Sequence, residues 1–236
     1  MARSSPPIPV MGKLPQKFST NDFVAHQLLG AGSFGEVFLV ERKSDKKLLA
    51  MKVLCKLKVA DQDLERYALS ERNIMATMKH PFISQLLYAF QTREKLFLVS
   101  DYCSGGDLSQ YLEIEGTFPE EKAKLYIQEV LLALEALHEQ NILYRDLKPD
   151  NVVIDHEGHV LLTDFGLSRE GVELGDLGAD SFCGSYAYLS PEVVMKQGHG
   201  KSVDCYMLGV LLHEMLFGLP PFYSHDKKQL FSNILE

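Results

Sequence analysis

Short apolar segments separated by polar turns fill the first hundred residues, a pattern typical of antiparallel β-strands. The segments predicted as strands are 23–30, 36–41, 48–54, 86–91 and 95–102. Polar turns at 43–47 and 92–94 separate neighbouring strands. We therefore expect a small β-rich unit near the amino terminus.

One amphipathic helix interrupts these strands. Seven residues recur at helical spacing: Leu64, Tyr67, Ala68, Glu71, Ile74, Met75 and Met78. Six of them are apolar or aromatic, so the carboxylate of Glu71 faces inward with them. A buried carboxylate without a partner costs about 3–5 kcal/mol. Lys52, which lies in an apolar strand, is the candidate cation, and the periodicity predicts a Lys52–Glu71 ion pair.

Helical patterns dominate after Ser104-Gly105-Gly106, which we interpret as the boundary between two lobes. The predicted organisation is a flexible lead-in over 1–21, an N-terminal lobe over 22–103 and a C-terminal lobe over 104–236. Residues 117–120 read as a capping box that opens a helix, and 202–217 form a second helix that is apolar nearly all round. Short strands are predicted at 152–154 and 160–163.

The first of these helices has a predicted apolar face. Its members are Ala123, Ile127, Val130, Leu131, Leu134 and Leu137. This face spans about four turns, a pattern typical of an amphipathic helix.

The net charge of −8 over 236 residues argues against nucleic acid and anionic membranes as main partners, and it suits a basic peptide. The four cysteines show no CxxC pair or metal-ligand spacing, which favours reduced thiols and a cytoplasmic setting, with a nuclear one also open. No run approaches the length of a membrane span, and residues 1–17 lack the apolar stretch of a signal peptide.

A glycine-rich stretch lies between the first two predicted strands. Gly30, Gly32 and Gly35 allow a backbone to approach phosphates closely. A dinucleotide-binding fold would follow such glycines with a helix, whereas a strand sequence follows here. No Gly-Lys-Ser or Gly-Lys-Thr ends the stretch, which excludes a P-loop.

Two further motifs carry chemistry. Asp146, Lys148 and Asn151 lie close together in the chain, and Asp164-Phe165-Gly166 begins eighteen residues after Asp146. A carboxylate such as Asp146 can orient a substrate hydroxyl and accept its proton, and Lys148 can neutralise a moving phosphoryl group. Asn151 and Asp164 offer oxygen ligands to Mg²⁺.

Taken in this order, the motifs resemble those of eukaryotic protein kinases from about residue 23 to the end of the chain. The resemblance implies an α+β bilobal protein-kinase fold, with ATP and Mg²⁺ as cofactors. Lys148 is typical of Ser/Thr kinases. Tyr144 before Arg145 and the segment 181–185 resemble the AGC group, which includes the cyclic-nucleotide-dependent, protein kinase B and ribosomal S6 kinase families.

The resemblance also implies an ATP site. Its residues would be Leu29, Gly30, Ala31, Gly32, Ser33, Phe34, Gly35, Val37, Ala50, Lys52, Ser100, Asp101, Cys103 and Val153. Lys52, fixed by Glu71, would hold the α- and β-phosphates. Ser100 at the gatekeeper position implies a roomy back pocket, and Cys103 in the hinge is expected to be accessible to electrophilic ligands.

Substrate and regulatory residues follow from the same resemblance. Acidic Asp107, Asp150 and Glu214 match positions that read arginines in the substrate, so protein or peptide substrates with basic residues near the acceptor are expected. Ser181 lies in the activation segment, where an upstream kinase could phosphorylate it and Arg145 and Arg169 could clasp the phosphate.

Two departures leave alternatives open. The segment 184–188 lacks the usual Pro-Glu, and the match ends before the family's last C-lobe helices and tail, so we expect a C-terminally truncated kinase whose Glu192 lacks its usual arginine. An active Ser/Thr kinase is the first hypothesis, and a catalytically inactive, regulatory binding module is the second. A small-molecule phosphotransferase with a kinase-like fold is the third.

Overall fold

The structure is a computed structural model that describes residues 18–32, 35–57, 65–172 and 184–236. Its amino-terminal part is an antiparallel sheet of five strands with the order β1-β2-β3-β5-β4. The strands are β1 (Phe23–Gly32), β2 (Gly35–Arg42), β3 (Leu48–Cys55), β4 (Leu86–Gln91) and β5 (Lys95–Asp101). The five strands predicted from sequence are present, with ends that differ by up to two residues.

Each face of the sheet buries a different set of side chains, because successive residues of a strand point to opposite faces. One face buries Phe23, Val40, Leu49, Met51, Phe97 and Val99. The other face buries Leu54 and Leu98 and packs against Ala68 of helix α1 (Glu65–Thr77). Ile74, Met75 and Met78, near the end of α1, join the largest core cluster. Leu64 of the predicted stripe lies outside the described residues.

The carboxy-terminal part is mostly helical. Its helices are α2 (Leu108–Glu115), α3 (Glu120–Glu139), α4 (Pro191–Val194), α5 (Ser202–Phe217) and α6 (Lys227–Leu235). Four short strands form two antiparallel pairs: β6 (Ile142–Leu143) with β9 (Arg169–Glu170), and β7 (Val152–Ile154) with β8 (Val160–Leu162). Helices α3 and α5 pack against each other at the centre of this part. The fold is therefore the predicted α+β arrangement of a small β-rich lobe and a mostly helical lobe.

Two glycines are required by close backbone approaches. A Cβ on Gly35 would lie 2.2 Å from the carbonyl oxygen of Val53 in β3. A Cβ on Gly105 would lie 2.8 Å from the side chain of Ile154, because the connection after β5 exchanges backbone hydrogen bonds with β7 there. The lobe limits at 22–103 and 104–236 stay our proposal, with this connection as their junction.

The predicted capping box at 117–120 is wrong. The N-cap of α3 is Pro119, and it makes no side-chain capping hydrogen bond. The preceding Phe118 instead donates its backbone N–H to the carbonyl of Met215 at a distance of 2.7 Å. The start of α3 is therefore set by its contact with α5 rather than by a local cap.

The predicted apolar faces of α3 and α5 need correction. Leu131 of α3 is 47% exposed, while Glu129 is buried because its carboxylate accepts hydrogen bonds from His159 and from the backbone N–H of Val160. In α5, Phe217 is 68% exposed, so this helix is not buried all round. No helix in the described part of the chain is long and apolar enough to cross a membrane.

Candidate active site

A cavity of about 590 Å³ lies between the sheet and the helical part. Strands and loops from both parts line it, and many of the lining residues are those predicted from the sequence. The predicted residues that line it are Leu29, Gly30, Val37, Ala50, Lys52, Glu71, Ser100, Asp101, Cys103, Asp107, Asp150, Asn151, Val153 and Asp164. Met75, Ser84, Leu98 and Thr163 also line it and were not predicted.

The described part of the glycine-rich hairpin reaches the cavity through Gly30, which is a lining residue. Ala31 and Gly35 belong to the hairpin of β1 and β2 and are not among the described lining residues, and Gly32 ends β1. Ser33 and Phe34, at the tip, lie outside the described residues. The hairpin itself joins two antiparallel strands, as the sequence predicts.

Lys52 joins two carboxylates at the back of the cavity. Its Nζ lies 2.6 Å from Glu71 Oε1 and 2.9 Å from Asp164 Oδ1. The ion pair with Glu71 is the one that helical periodicity predicts. It forms because Lys52 is central in β3, between β2 and β5, and Glu71 is on the face of α1 that packs towards the sheet.

The charges of this triad depend on one another. Burial acts to lower the pKa of Lys52, but the charges of Glu71 and Asp164 outweigh it and raise the pKa, so the ammonium stays protonated. Burial raises the pKa of Glu71, and Lys52 opposes that effect. Burial also acts to raise the pKa of Asp164, but Lys52 outweighs it and the pKa is lowered. Asp164 is therefore held as a carboxylate facing the cavity.

The second cluster surrounds Asp146. Asn151 donates from Nδ2 to the carbonyl oxygen of Asp146 at 2.7 Å and to its Oδ2 at 2.8 Å. Lys148 Nζ lies 3.3 Å from the same Oδ2. Burial raises the pKa of Asp146, and Lys148 and Asn151 oppose it. The carboxylate is thus oriented by an amide and a cation from its own loop.

Asp204 of α5 fixes this loop, and sequence reasoning did not assign it a role. Its fully buried carboxylate accepts the backbone N–H groups of Tyr144 at 2.9 Å and Arg145 at 2.8 Å, and it contacts His138 Nε2 at 2.7 Å. Arg145 and Asp164 have φ values of 68° and 53°, which non-glycine residues rarely adopt. These anchors hold the strained backbone on which Asp146 depends. A carboxylate in the first turn of a helix predicted to be buried is the signal that could have revealed Asp204.

Phe165 lies under α1, which bears Glu71. It is fully buried and belongs to the core cluster that contains Ile74, Met75 and Met78. Its ring meets the ring of Tyr144 edge-on, with centroids 5.5 Å apart, and the Tyr144 hydroxyl donates to the carbonyl of Thr163 at 2.6 Å. This packing holds Asp164 towards Lys52.

The three acids predicted to read substrate arginines differ in their surroundings. Asp107 caps α2, where its carboxylate accepts the backbone N–H of Gln110 at 3.0 Å and the Gln110 side-chain amide at 2.7 Å. Glu214 is half-buried, accepts a hydrogen bond from the Tyr188 hydroxyl and has its pKa raised by burial and by Asp150. Asp150 is exposed at the rim of the cavity. Glu214 and Asp150 thus form one acidic region, and Asp107 is occupied by capping.

The predicted regulatory residues are only partly covered by the described part of the chain. Ser181 lies outside the described residues. Arg145 is buried, and its Nε donates to the carbonyl of Leu167 at 2.9 Å, whereas Arg169 is exposed on β9. A joint phosphate clasp by the two arginines stays a prediction.

Cys103 lines the cavity, where its thiol does not ionise readily. It is half-buried, and burial, with smaller effects of Asp155 and Asp101, raises the pKa of its thiol to about 11. Since the thiolate is the reactive form, the raised pKa lowers the reactivity of this thiol at neutral pH, and the accessibility of Cys103 to electrophilic ligands stays a prediction.

In this site a lysine of the five-stranded sheet is paired with a helix glutamate, and a nearby loop joins an aspartate, a lysine and an asparagine. The arrangement is typical of the phosphoryl-transfer site of protein kinases. The family model described as "Protein kinase domain" matches residues 23–236, and the chain belongs to this family. The resemblance to the AGC group is confirmed by relatives of the Sgk and RAC families.

Three relatives illustrate the similarity. Protein kinase 2 of Dictyostelium discoideum is 45% identical over 96% of this chain and 47% of its own length. The serine/threonine-protein kinase Sgk3 of Rattus norvegicus is 46% identical over 91% of the chain and 43% of its own length. Sgk2 of Homo sapiens is 46% identical over 91% of the chain and 58% of its own length. The chain thus spans about half the length of the relatives it matches.

Proposed function

We propose that this chain is a protein serine/threonine kinase domain that transfers the γ-phosphate of Mg-ATP to serine or threonine in protein substrates with basic residues near the acceptor. The observation that carries the proposal is the convergence of Lys52, Asn151 and Asp164 on a cavity of about 590 Å³ that also receives the predicted adenine contacts. The names of the Sgk relatives support the Ser/Thr assignment.

Within this proposal, Lys52 binds the α- and β-phosphates, and Glu71 orients it. The protonated ammonium supplies a positive charge against the phosphates, and the ion pair with Glu71 keeps the side chain from turning towards solvent. The apolar and small residues Val37, Ala50 and Val153 provide the flat walls that an adenine ring requires, next to Ser100 in β5.

The donor set fits Mg²⁺ bound together with a nucleotide. The described residues contain no cluster of three His, Cys, Asp or Glu side chains that could hold a metal. Mg²⁺ in kinases uses one or two carboxylates, an amide oxygen and the substrate phosphates, and Asp164 and Asn151 offer this smaller set. When bound, the metal would neutralise charge on the β- and γ-phosphates.

Asp146 is proposed to orient the substrate hydroxyl and to accept its proton as the phosphoryl group transfers. The hydrogen bond from Asn151 fixes the orientation of the Asp146 carboxylate. Lys148, which contacts the same carboxylate, supplies a cation for the phosphoryl group during transfer. The raised pKa of Asp146 makes it a better proton acceptor than an exposed aspartate.

Substrate recognition and regulation complete the proposal. Asp150 and Glu214 would attract arginine side chains of the substrate, with Asp107 a weaker contributor because it caps α2. Phosphorylation of Ser181 by an upstream kinase would order the activation segment through Arg145 and Arg169. The net charge of −8 and the cysteine pattern are consistent with a cytoplasmic kinase.

The test is transfer of radiolabel from γ-labelled ATP to a basic serine peptide. We expect transfer by the wild type and its near-complete loss in Asp146→Asn, with nucleotide affinity retained. Glu94→Gln, which makes the same kind of change in the exposed turn between β4 and β5, serves as the control and should retain activity. Tight ATP binding without any transfer would refute catalysis and favour the regulatory binding module.

A further inference from the structure

Residues 184–188 run along the side of the candidate active site. A Cβ placed on Gly184 would lie 4.0 Å from Asp146 Oδ1 and 3.2 Å from the carbonyl oxygen of Arg145. At the other end, the Tyr188 hydroxyl donates to Glu214. Tyr186, midway between them, is 47% exposed. The segment 184–188 therefore joins the surroundings of Asp146 to those of Glu214, and Tyr186 lies between its two ends.

The ring of Tyr186 is held by α6. Lys227 Nζ lies 3.7 Å from the centroid of the Tyr186 ring, and the Phe231 ring meets it edge-on at 5.9 Å and 89°. Phe231 in turn packs on the buried cluster that includes Leu143 and Val193. Tyr186 is thus held by a cation over its ring and by an anchored aromatic ring perpendicular to it, and both contacts are favourable.

Lys227 brings positive charge to this surface. It is exposed, and no ion pair joins it to a carboxylate among residues 18–32, 35–57, 65–172 and 184–236. The adjacent Asp226 is engaged as the N-cap of α6, where it accepts the backbone N–H of Gln229 at 2.8 Å. The segment 184–188 therefore has a cation, Lys227, next to Tyr186 and two acids, Glu214 and Asp150, near Tyr188.

We propose that Lys227, positioned by Tyr186, forms a subsite for a carboxylate side chain of the protein substrate, a proposal that rests on the kinase function above. A substrate would then carry a basic residue against Asp150 and Glu214 and an acidic residue, Asp or Glu, against Lys227. The ring beneath the ammonium restricts its motion, which lowers the entropy lost when the carboxylate binds. The subsite would favour the binding of substrates that carry both basic and acidic residues over substrates that are uniformly basic.

The experiment compares basic serine peptides in pairs, and the two peptides of a pair differ only in having Glu or Gln at one position. The exchange is made in turn at each of the three positions before and the three positions after the acceptor serine. At one or two positions we expect kcat/KM of the wild type to be about two- to fivefold higher for the Glu peptide, since an exposed ion pair contributes little. Lys227→Glu should reverse this ratio, and 0.5 M salt should reduce it.

Lys228→Glu is the matched control, because it makes the same charge change on the same helix at an exposed lysine that lies over none of the aromatic rings in the described residues. It should keep the wild-type Glu/Gln ratio. Tyr186→Phe retains the ring face and should keep the ratio, whereas Tyr186→Leu should reduce it. Equal ratios in the wild type and Lys227→Glu, or an equal change in Lys228→Glu, would overturn the proposal.

A second readout separates this proposal from the kinase assignment. The same peptides, labelled with a fluorophore, are titrated by anisotropy onto Asp146→Asn loaded with a non-hydrolysable ATP analogue and Mg²⁺. The Glu/Gln preference and its reversal in the Asp146→Asn/Lys227→Glu double variant should appear in affinity. If the wild type transfers no phosphate but this preference is present, the kinase function fails and the subsite stands. If transfer occurs without any preference, the subsite alone fails.

Discussion

Replacing Asp204 by asparagine tests whether a buried carboxylate holds the catalytic loop. The carboxylate of Asp204 is fully buried and accepts the backbone N–H groups of Tyr144 and Arg145 while it contacts His138. The amide of asparagine has one oxygen, so one of the two N–H groups is left facing an NH₂ group. Asp146 follows directly after Arg145, and the loss is therefore transmitted to the proposed catalytic carboxylate.

The magnitude follows from these contacts. A buried N–H without an acceptor costs about 1–3 kcal/mol, and the remaining bond changes from charge-assisted to neutral, which costs roughly another 1 kcal/mol. We expect Asp204→Asn to lower the free energy of unfolding by about 2–4 kcal/mol, a large part of the 5–15 kcal/mol typical of a domain. We also expect kcat to fall by at least about tenfold, because 1.4 kcal/mol in the barrier is a factor of ten.

Stability is measured by urea unfolding, followed by far-ultraviolet circular dichroism because the chain has no tryptophan. Activity is measured as ATP-dependent peptide phosphorylation at 20 °C, at which the variant is still folded. Asp226→Asn is the control, since asparagine caps a helix as well as aspartate does, and it should change stability by less than about 0.5 kcal/mol. Equal stability and equal kcat for Asp204→Asn and the wild type would refute the argument that this carboxylate anchors the loop.

Three further predictions concern the pocket and the helical lobe. Ser100→Met should weaken the binding of bulky purine inhibitors tenfold or more, on the order of 1.4 kcal/mol, because the longer side chain fills the space behind the adenine site. Equal affinities for the wild type and the variant in calorimetry would contradict this prediction. Iodoacetamide at pH 7.4 should modify exposed Cys205 before Cys103, whose pKa is raised to about 11, and peptide mass spectrometry that finds Cys103 modified first would contradict it. Glu129 raises the pKa of His159. The stabilisation from the His159–Glu129 contact is therefore fully present below about pH 6.5, and it is lost as the pH rises through the raised pKa of His159. Urea unfolding should thus show a larger stability difference between the wild type and His159→Gln at pH 6 than at pH 9, and a difference that grows with pH would contradict the assignment.

Much of the fold could be predicted because local patterns reflect it directly. Alternation in the strands and the i, i+3, i+4 spacing of α1 depend on which side faces a core, and the five strands and this helix were predicted within a few residues. The Lys52–Glu71 pair was predictable for a related reason: a carboxylate on an apolar face requires a buried cation, and few cations lie in apolar strands.

Other features could not be predicted from local patterns. The capping box at 117–120 matched a sequence signature, but the contact of Phe118 with Met215 decided how α3 begins. The sequence pattern put Leu131 on the inner face of α3, but the residue buried there is Glu129, because His159 provides a polar partner for its carboxylate. In both cases a contact between distant segments outweighed the local preference.

The amino-acid sequence by itself determined the order of elements, the glycine hairpin and the types of side chain that carry phosphoryl-transfer chemistry, because these depend on periodicity and on motifs within short segments. Only the tertiary structure decided that Asp204 anchors the loop of Asp146, that Asp107 is used as a helix cap, that burial raises the pKa of the Cys103 thiol and that Lys227 lies on Tyr186. Each of these depends on which groups are buried together, and burial is set by the packing of segments that are far apart in the chain.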